Sequence, residues 1–137
     1  MGSALGEELG WRGFALVRLQ QRFSALDSSL ILAVVWAIWA QPLLHVHRSE
    51  GVVMLFLITL VGAIPAQVLS TWLFNSTGGS LLLVLLYNNA FKITDQFITP
   101  PLTALVVPMT AYWIVTLLVV SAVGAKRLSL RTNAPGG

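Results

Sequence analysis

Apolar residues in this chain fall into long blocks separated by short polar clusters. A helix that crosses a bilayer needs about 20 mostly apolar residues, because the hydrocarbon core is roughly 30 Å thick and each helical residue rises about 1.5 Å. Four blocks meet that length. Residues 28–44, 51–74 and 102–125 are free of charge, and residues 80–91 continue toward 98 with Lys92 and Asp95 near the end. Residues 5–22 make a further, more polar helix. The pattern predicts an all-α, multi-pass transmembrane bundle of about five helices.

The breaks have local causes. Asp27 with Ser28 and Ser29 is placed to cap the second helix, and the cluster at 75–80 is a turn before the fourth. Pro100-Pro101 cannot continue a helix and separates the fourth from the fifth. Pro42, Pro65 and Pro108 lie inside apolar runs, where kinks rather than ends are expected because neighbouring helices can satisfy the freed carbonyls. No internal repeat is evident, so residues 1–131 read as one domain, followed by a disordered tail at 132–137.

Composition agrees with a membrane solvent. Of 137 residues, 56% are hydrophobic and only 9% charged, and the mean hydropathy is +0.81. A soluble domain is about a quarter charged. The net charge of +3 comes from basic residues at segment ends, with no basic run or aromatic-basic stripe to suit nucleic acid. Arg18 and Arg22 after the first helix and Lys126, Arg127 and Arg131 after the last place both on the cytoplasmic side, by the preference of Lys and Arg for that side. A bacterial plasma membrane is the expected location. With no cysteine, thiol catalysis and sulfur-ligated zinc are excluded.

Ionisable residues inside a membrane segment are costly and point to function. Glu7, Glu8 and Arg12 stand together in the first helix. Glu8 and Arg12 are four apart, in the favourable order for an ion pair, while Glu7 projects about 100° away toward the face of Trp11. One carboxylate is then held and the other available. A buried pair that only fixes helix packing is an equally good reading of the spacing.

The stretch Glu7-Glu8-Leu-Gly-Trp-Arg12-Gly-Phe14 resembles the first motif of the CAAX-protease and bacteriocin-processing (CPBP) family of intramembrane metalloproteases. Three later stretches resemble its further motifs in order: residues 29–43 the second, usually ending near Trp-His-Leu-Pro; residues 63–80 the segment leading to the last; and residues 85–92 the last, usually His-Ala-x-Phe-Asn. The resemblance covers residues 5–92. It implies that Glu7 activates a water as general base, with Glu8 and Arg12 completing the motif. It also implies a Zn2+ cofactor held with a histidine from each of two later helices, with an Asn one turn further on.

At those three positions this chain has Ala40, Asn88 and Lys92. Ala40 supplies no ligand, Asn88 only a neutral amide, and Lys92 a charge that repels a cation, whereas imidazole is the usual nitrogen ligand of hydrolytic zinc. The resemblance therefore implies peptide-bond hydrolysis near the membrane, impaired at the ligand set, with Asn88 left as a donor to a developing oxyanion. Counting residues from the helix ends puts Glu7, Ala40 and Asn88 in the same half of the membrane, so a pocket of Trp11, Trp39, Ala40, Asn88 and Lys92 is expected, with Trp36 and Tyr87 beside it. The rival reading is a non-catalytic membrane protein, a bacteriocin-immunity or scaffold protein that binds hydrophobic or prenylated peptides. Family members usually have further helices before the first motif, so partner helices replacing them are also expected.

His45-Val-His47 with Glu50 reads as an interfacial cluster, since residues two apart do not share a helical face. The sequon Asn75-Ser-Thr77 matters only in a eukaryotic secretory pathway, and the five tryptophans read as packing or interface residues.

Overall fold

A computed structural model of the chain describes residues 4–45, 51–97 and 106–129, with side chains described for 6–42, 51–90 and 106–129. All regular structure among them is helical. The first helix, α1, has three consecutive pieces: α-helical Ala4–Glu8, π-helical Leu9–Leu16 and α-helical Val17–Gln20. It is followed by α2 at Ala25–His45, α3 at Val52–Ser76, α4 at Leu81–Phe97 and α5 at Val106–Val123. The expected tail at 132–137 and the segment with His47 and Glu50 lie outside the described residues.

Helix ends follow local chemistry, with one change from expectation. Ser24, rather than Asp27 with Ser28 and Ser29, caps α2: its Oγ accepts from the Asp27 backbone N–H at 3.1 Å and donates to the Asp27 carboxylate at 2.7 Å. The helix thus starts three residues before Ser28, and Ser28 and Ser29 are fully buried inside it. Two more amide groups of its first turn, Ala25 and Leu26, donate to the carbonyls of Lys126 and Ala125. At the other end of α3, Gly78 and Gly79 adopt φ of 69° and 86°, and the Gly79 N–H returns to the Phe74 carbonyl at 2.8 Å. That left-handed closing bond satisfies a carbonyl the helix leaves open, and only glycine adopts it without strain.

Packing is turned outward relative to a soluble protein. α3 is the central helix: it packs most extensively on α2 and also touches α1, α4 and α5. The buried face of α2 is a stripe of small residues, Ser29, Ala33, Ala37 and Ala40, which lets the α3 backbone approach closely. Ser29 Oγ donates to the Ala25 carbonyl at 2.8 Å and meets Thr71 Oγ1 of α3 at 2.7 Å. Large apolar side chains face outward instead, among them Val35, Ile38, Val53, Val107, Leu117 and Leu118. Polar contacts inside and hydrocarbon outside is the arrangement lipid selects.

Among the described residues, three helices are long and apolar enough to cross a bilayer: Ala25–Pro42, Val52–Ser76 and Val106–Val123. In the fourth expected span the described apolar part is Leu81–Ala90, within a helix that continues to Phe97. Pro42 and Pro65 lie inside helices as expected. Pro65 cannot donate to the Val61 carbonyl, and the Trp113 indole of α5 fills that vacancy at 3.1 Å. Pro108 lies near the start of the described part of α5.

Candidate functional site

The motif residues of α1 lie where the helix widens. Glu8 closes the α-helical turn and Arg12 sits within the π-helical stretch, and short π segments inside α-helices are frequent at functional sites. Both side chains are buried, Glu8 at 7% and Arg12 at 3% exposure. Arg12 Nη1 lies between the two Glu8 oxygens, 3.2 Å from Oε1 and 3.1 Å from Oε2. The expected ion pair is formed.

Two other helices complete the centre. Arg12 Nη2 donates to Gln67 Oε1 of α3 at 2.7 Å. Asn88 of α4 donates through Nδ2 to Glu8 Oε1 at 2.7 Å, and its Oδ1 accepts from Ser70 Oγ of α3 at 3.3 Å. Measured along the helices, Gln67 is about 13 Å from the Ser76 end of α3 and Asn88 about 10 Å from the Leu81 start of α4. The network therefore sits well inside a hydrocarbon layer of roughly 30 Å. It is not closed: Arg12 Nε is buried without a hydrogen bond among the described residues, and Glu8 Oε2 has its ion pair with Arg12 Nη1 but no hydrogen bond there. Such atoms in an otherwise satisfied polar cluster ask for a functional account.

The remaining expected site residues lie on α1, α2 and α4. Glu7 is half-buried beside Glu8. Trp11 and Trp39 meet edge to face with ring centroids 6.1 Å apart, so α1 and the end of α2 that bears Ala40 do come together. Ala40 itself is 6% exposed. Lys92 lies one helical turn beyond Asn88 on α4, with its side chain outside the described set. Asn88 faces Glu8.

The donor set of the described residues does not fit a zinc ion. Among the described residues no three His, Cys, Asp or Glu side chains gather. Ala40 offers a methyl group, and both ends of the Asn88 amide are engaged by Glu8 and Ser70. Its Oδ1, the one atom of Asn88 that could ligate a metal, accepts a hydrogen bond instead.

Reading the sequence did not find Gln67 and Ser70, the α3 partners of Arg12 and Asn88. The signal was present: Gln67, Ser70 and Thr71 recur at helical spacing in an apolar run and are all buried, as polar groups that face a bundle interior are. The hydrogen bond between the Tyr87 and Tyr112 hydroxyls, joining α4 to α5, was missed as well.

The CAAX prenyl protease 2 of Methanococcus maripaludis is 26% identical over 102 residues, which cover 70% of this chain and 38% of that protein. The chain thus spans well under half the length of this curated relative. No solved structure matches. A family model for type II CAAX prenyl endopeptidases, described as Rce1-like, matches residues 1–92, the stretch from the Glu-Glu-x-x-x-Arg motif through Asn88, and on that match this helical membrane protein belongs to the Rce1-like CAAX protease family.

Proposed function

We propose that this chain forms a membrane-embedded peptide-binding centre of the CAAX protease type in which peptide-bond hydrolysis is impaired. One observation carries the reading: where the family resemblance puts a ligating imidazole, the Asn88 amide donates to Glu8 Oε1 at 2.7 Å. Zinc catalysis needs deprotonated or neutral-nitrogen ligands around an open position. An amide that donates to the adjacent carboxylate and accepts from Ser70 stabilises the metal-free arrangement instead.

The ligand proposed is a hydrophobic or prenylated peptide. The aromatic pair Trp11 and Trp39 and the exposed Phe14 give the motif end of the bundle an apolar flank, and the polar centre lies beside it. The family resemblance assigns Glu7 the role of general base for any hydrolysis that persists. Arg18, Arg22, Lys126 and Arg127 lie at the opposite end of the bundle, where α1 finishes and α2 starts, and this supports a cytoplasmic placement of that end and of the C-terminus in a bacterial plasma membrane.

The test uses the chain purified in detergent, its zinc content and its cleavage of a prenylated peptide. The unaltered chain is expected to hold less than stoichiometric zinc and to cleave slowly or not at all. The triple change Ala40→His, Asn88→His and Lys92→Asn is expected to raise both. Stoichiometric zinc with cleavage by the unaltered chain would overturn the reading. Cleavage that survives Glu7→Gln would remove Glu7 from the chemistry.

A further inference from the structure

The basic end of the bundle contains a pocket apart from the Glu8–Arg12 centre. It has a volume of about 490 Å3 and is lined by Gln20, Asn75, Gly78, Gly79, Lys126 and Arg127, with Phe74 and Ser129 at its edge. That volume lies within the range of small-molecule sites. Its position is at one membrane boundary, because α3 ends at Ser76 and α5 at Val123 beside it.

The walls are fixed by backbone and by one side chain. Asn75 accepts from Gln20 Nε2 at 3.3 Å, donates to the Arg127 carbonyl at 2.8 Å, and through its own carbonyl accepts from Ser129 Oγ at 3.2 Å. Lys126 and Ala125 use their carbonyls to cap α2, and Leu128 anchors the same turn, fully buried against Ala25 and Val68. The side chains of Lys126 and Arg127 take no part in this scaffold. Both are exposed, and neither has an ion pair or hydrogen bond among the described residues.

We propose that this pocket binds the phosphate of an anionic phospholipid headgroup. Two cations on a rigid turn, with the Gln20 amide and the exposed Gly78-Gly79 backbone beside them, suit a phosphodiester oxygen cluster, and basic pockets between transmembrane helices at a membrane surface bind such headgroups. Anchoring the turn beforehand lowers the ordering cost of the ligand. The acyl chains of a lipid held there lie along the outward apolar faces of α3 and α5, where Leu117 and Leu118 are exposed.

Native mass spectrometry of the detergent-purified chain tests this, with phosphatidylglycerol and phosphatidylcholine of equal acyl length. Phosphatidylglycerol adducts are expected to dominate. The double variant Lys126→Gln/Arg127→Gln is expected to weaken them about tenfold to thirtyfold, since each basic residue near an anionic surface contributes about 1 kcal/mol. Arg18→Gln, outside the pocket lining, is expected to leave them unchanged, and Lys126→Arg/Arg127→Lys to retain them. Helical circular dichroism checks that the charge-removed variant folds. Equal binding of the two lipids, or equal losses in the Arg18 and the pocket variants, overturns the proposal. Displacement of the lipid by millimolar inorganic phosphate also overturns it, by assigning the pocket to the soluble ion.

Discussion

Arg12 Nη2 reaches Gln67 Oε1 at 2.7 Å, across 55 positions of sequence. The guanidinium is thereby gripped from two helices, by Glu8 on its own helix and by Gln67 on α3. A planar fork holds its donors in a fixed geometry that suits both partners at once, whereas an ammonium is a compact point charge with rotatable donors. Arg12 is therefore the residue that converts a motif within α1 into a joint between α1 and α3.

Gln67→Leu is expected to destabilise the folded chain by about 1–1.5 kcal/mol. Hydrogen bonds to charged groups in soluble proteins are worth about 1.5–3 kcal/mol, but interhelical polar contacts in membranes average about 0.6 with a maximum near 1.7. The membrane figure is the closer reference, and the charge on Arg12 places the value at its upper end. Unfolding in mixed micelles measures it; no change would mean that Gln67 does not hold Arg12.

Removing Arg12 is expected to do more. Arg12→Leu leaves the Glu8 carboxylate buried beside the Asn88 amide alone, and breaking one side of a buried pair costs about 3–5 kcal/mol. The double variant Glu8→Gln/Arg12→Leu is expected to be less destabilised than the sum of the single changes. Additive losses in the same micelle assay would show that the two side chains do not depend on each other. Arg12→Lys is expected to fall between, because lysine keeps the charge and loses the fork.

Trp113 and Pro65 are coupled through a carbonyl that neither residue owns. Trp113→Phe is expected to cost about 1 kcal/mol by leaving the Val61 carbonyl without a donor. In a Pro65→Ala background the restored N–H satisfies that carbonyl within α3, so Trp113→Phe is expected to cost clearly less there. The same penalty in both backgrounds would rule out the coupling.

Leu128 sets two effects against each other. Its φ of 43° is a left-handed conformation, which costs a leucine about 1–2 kcal/mol, while complete burial of its side chain contributes about 1.5–3 kcal/mol. Burial outweighs the strain. Leu128→Gly is thus expected to be net destabilising by about 1 kcal/mol and to speed hydrogen exchange at the Ala25 and Leu26 amides, which the Ala125 and Lys126 carbonyls cap. A stabilised variant with slower exchange would show that the backbone conformation matters more than packing.

The helices and the ion pair were legible in the sequence because both depend on residues close together in it. Blocks of apolar residues report their own length against the bilayer, and Glu8 with Arg12 is a spacing of four. The start of α2 was misplaced by three residues because Ser24 and Asp27 are both competent caps, and the carbonyls that complete the helix start come from Ala125 and Lys126, a hundred positions away.

The amino-acid order by itself determined that the chain is a helical membrane protein with a Glu-Glu-x-x-x-Arg centre and without imidazole at Ala40 and Asn88, since hydropathy and residue type are local properties. Only the tertiary structure decided that Asn88 turns to Glu8 and that Gln67 takes Arg12. In lipid, where solvent cannot satisfy a buried amide or guanidinium, each donor that its own helix leaves open must find a partner on another helix, and which partner is available is fixed by how the helices pack.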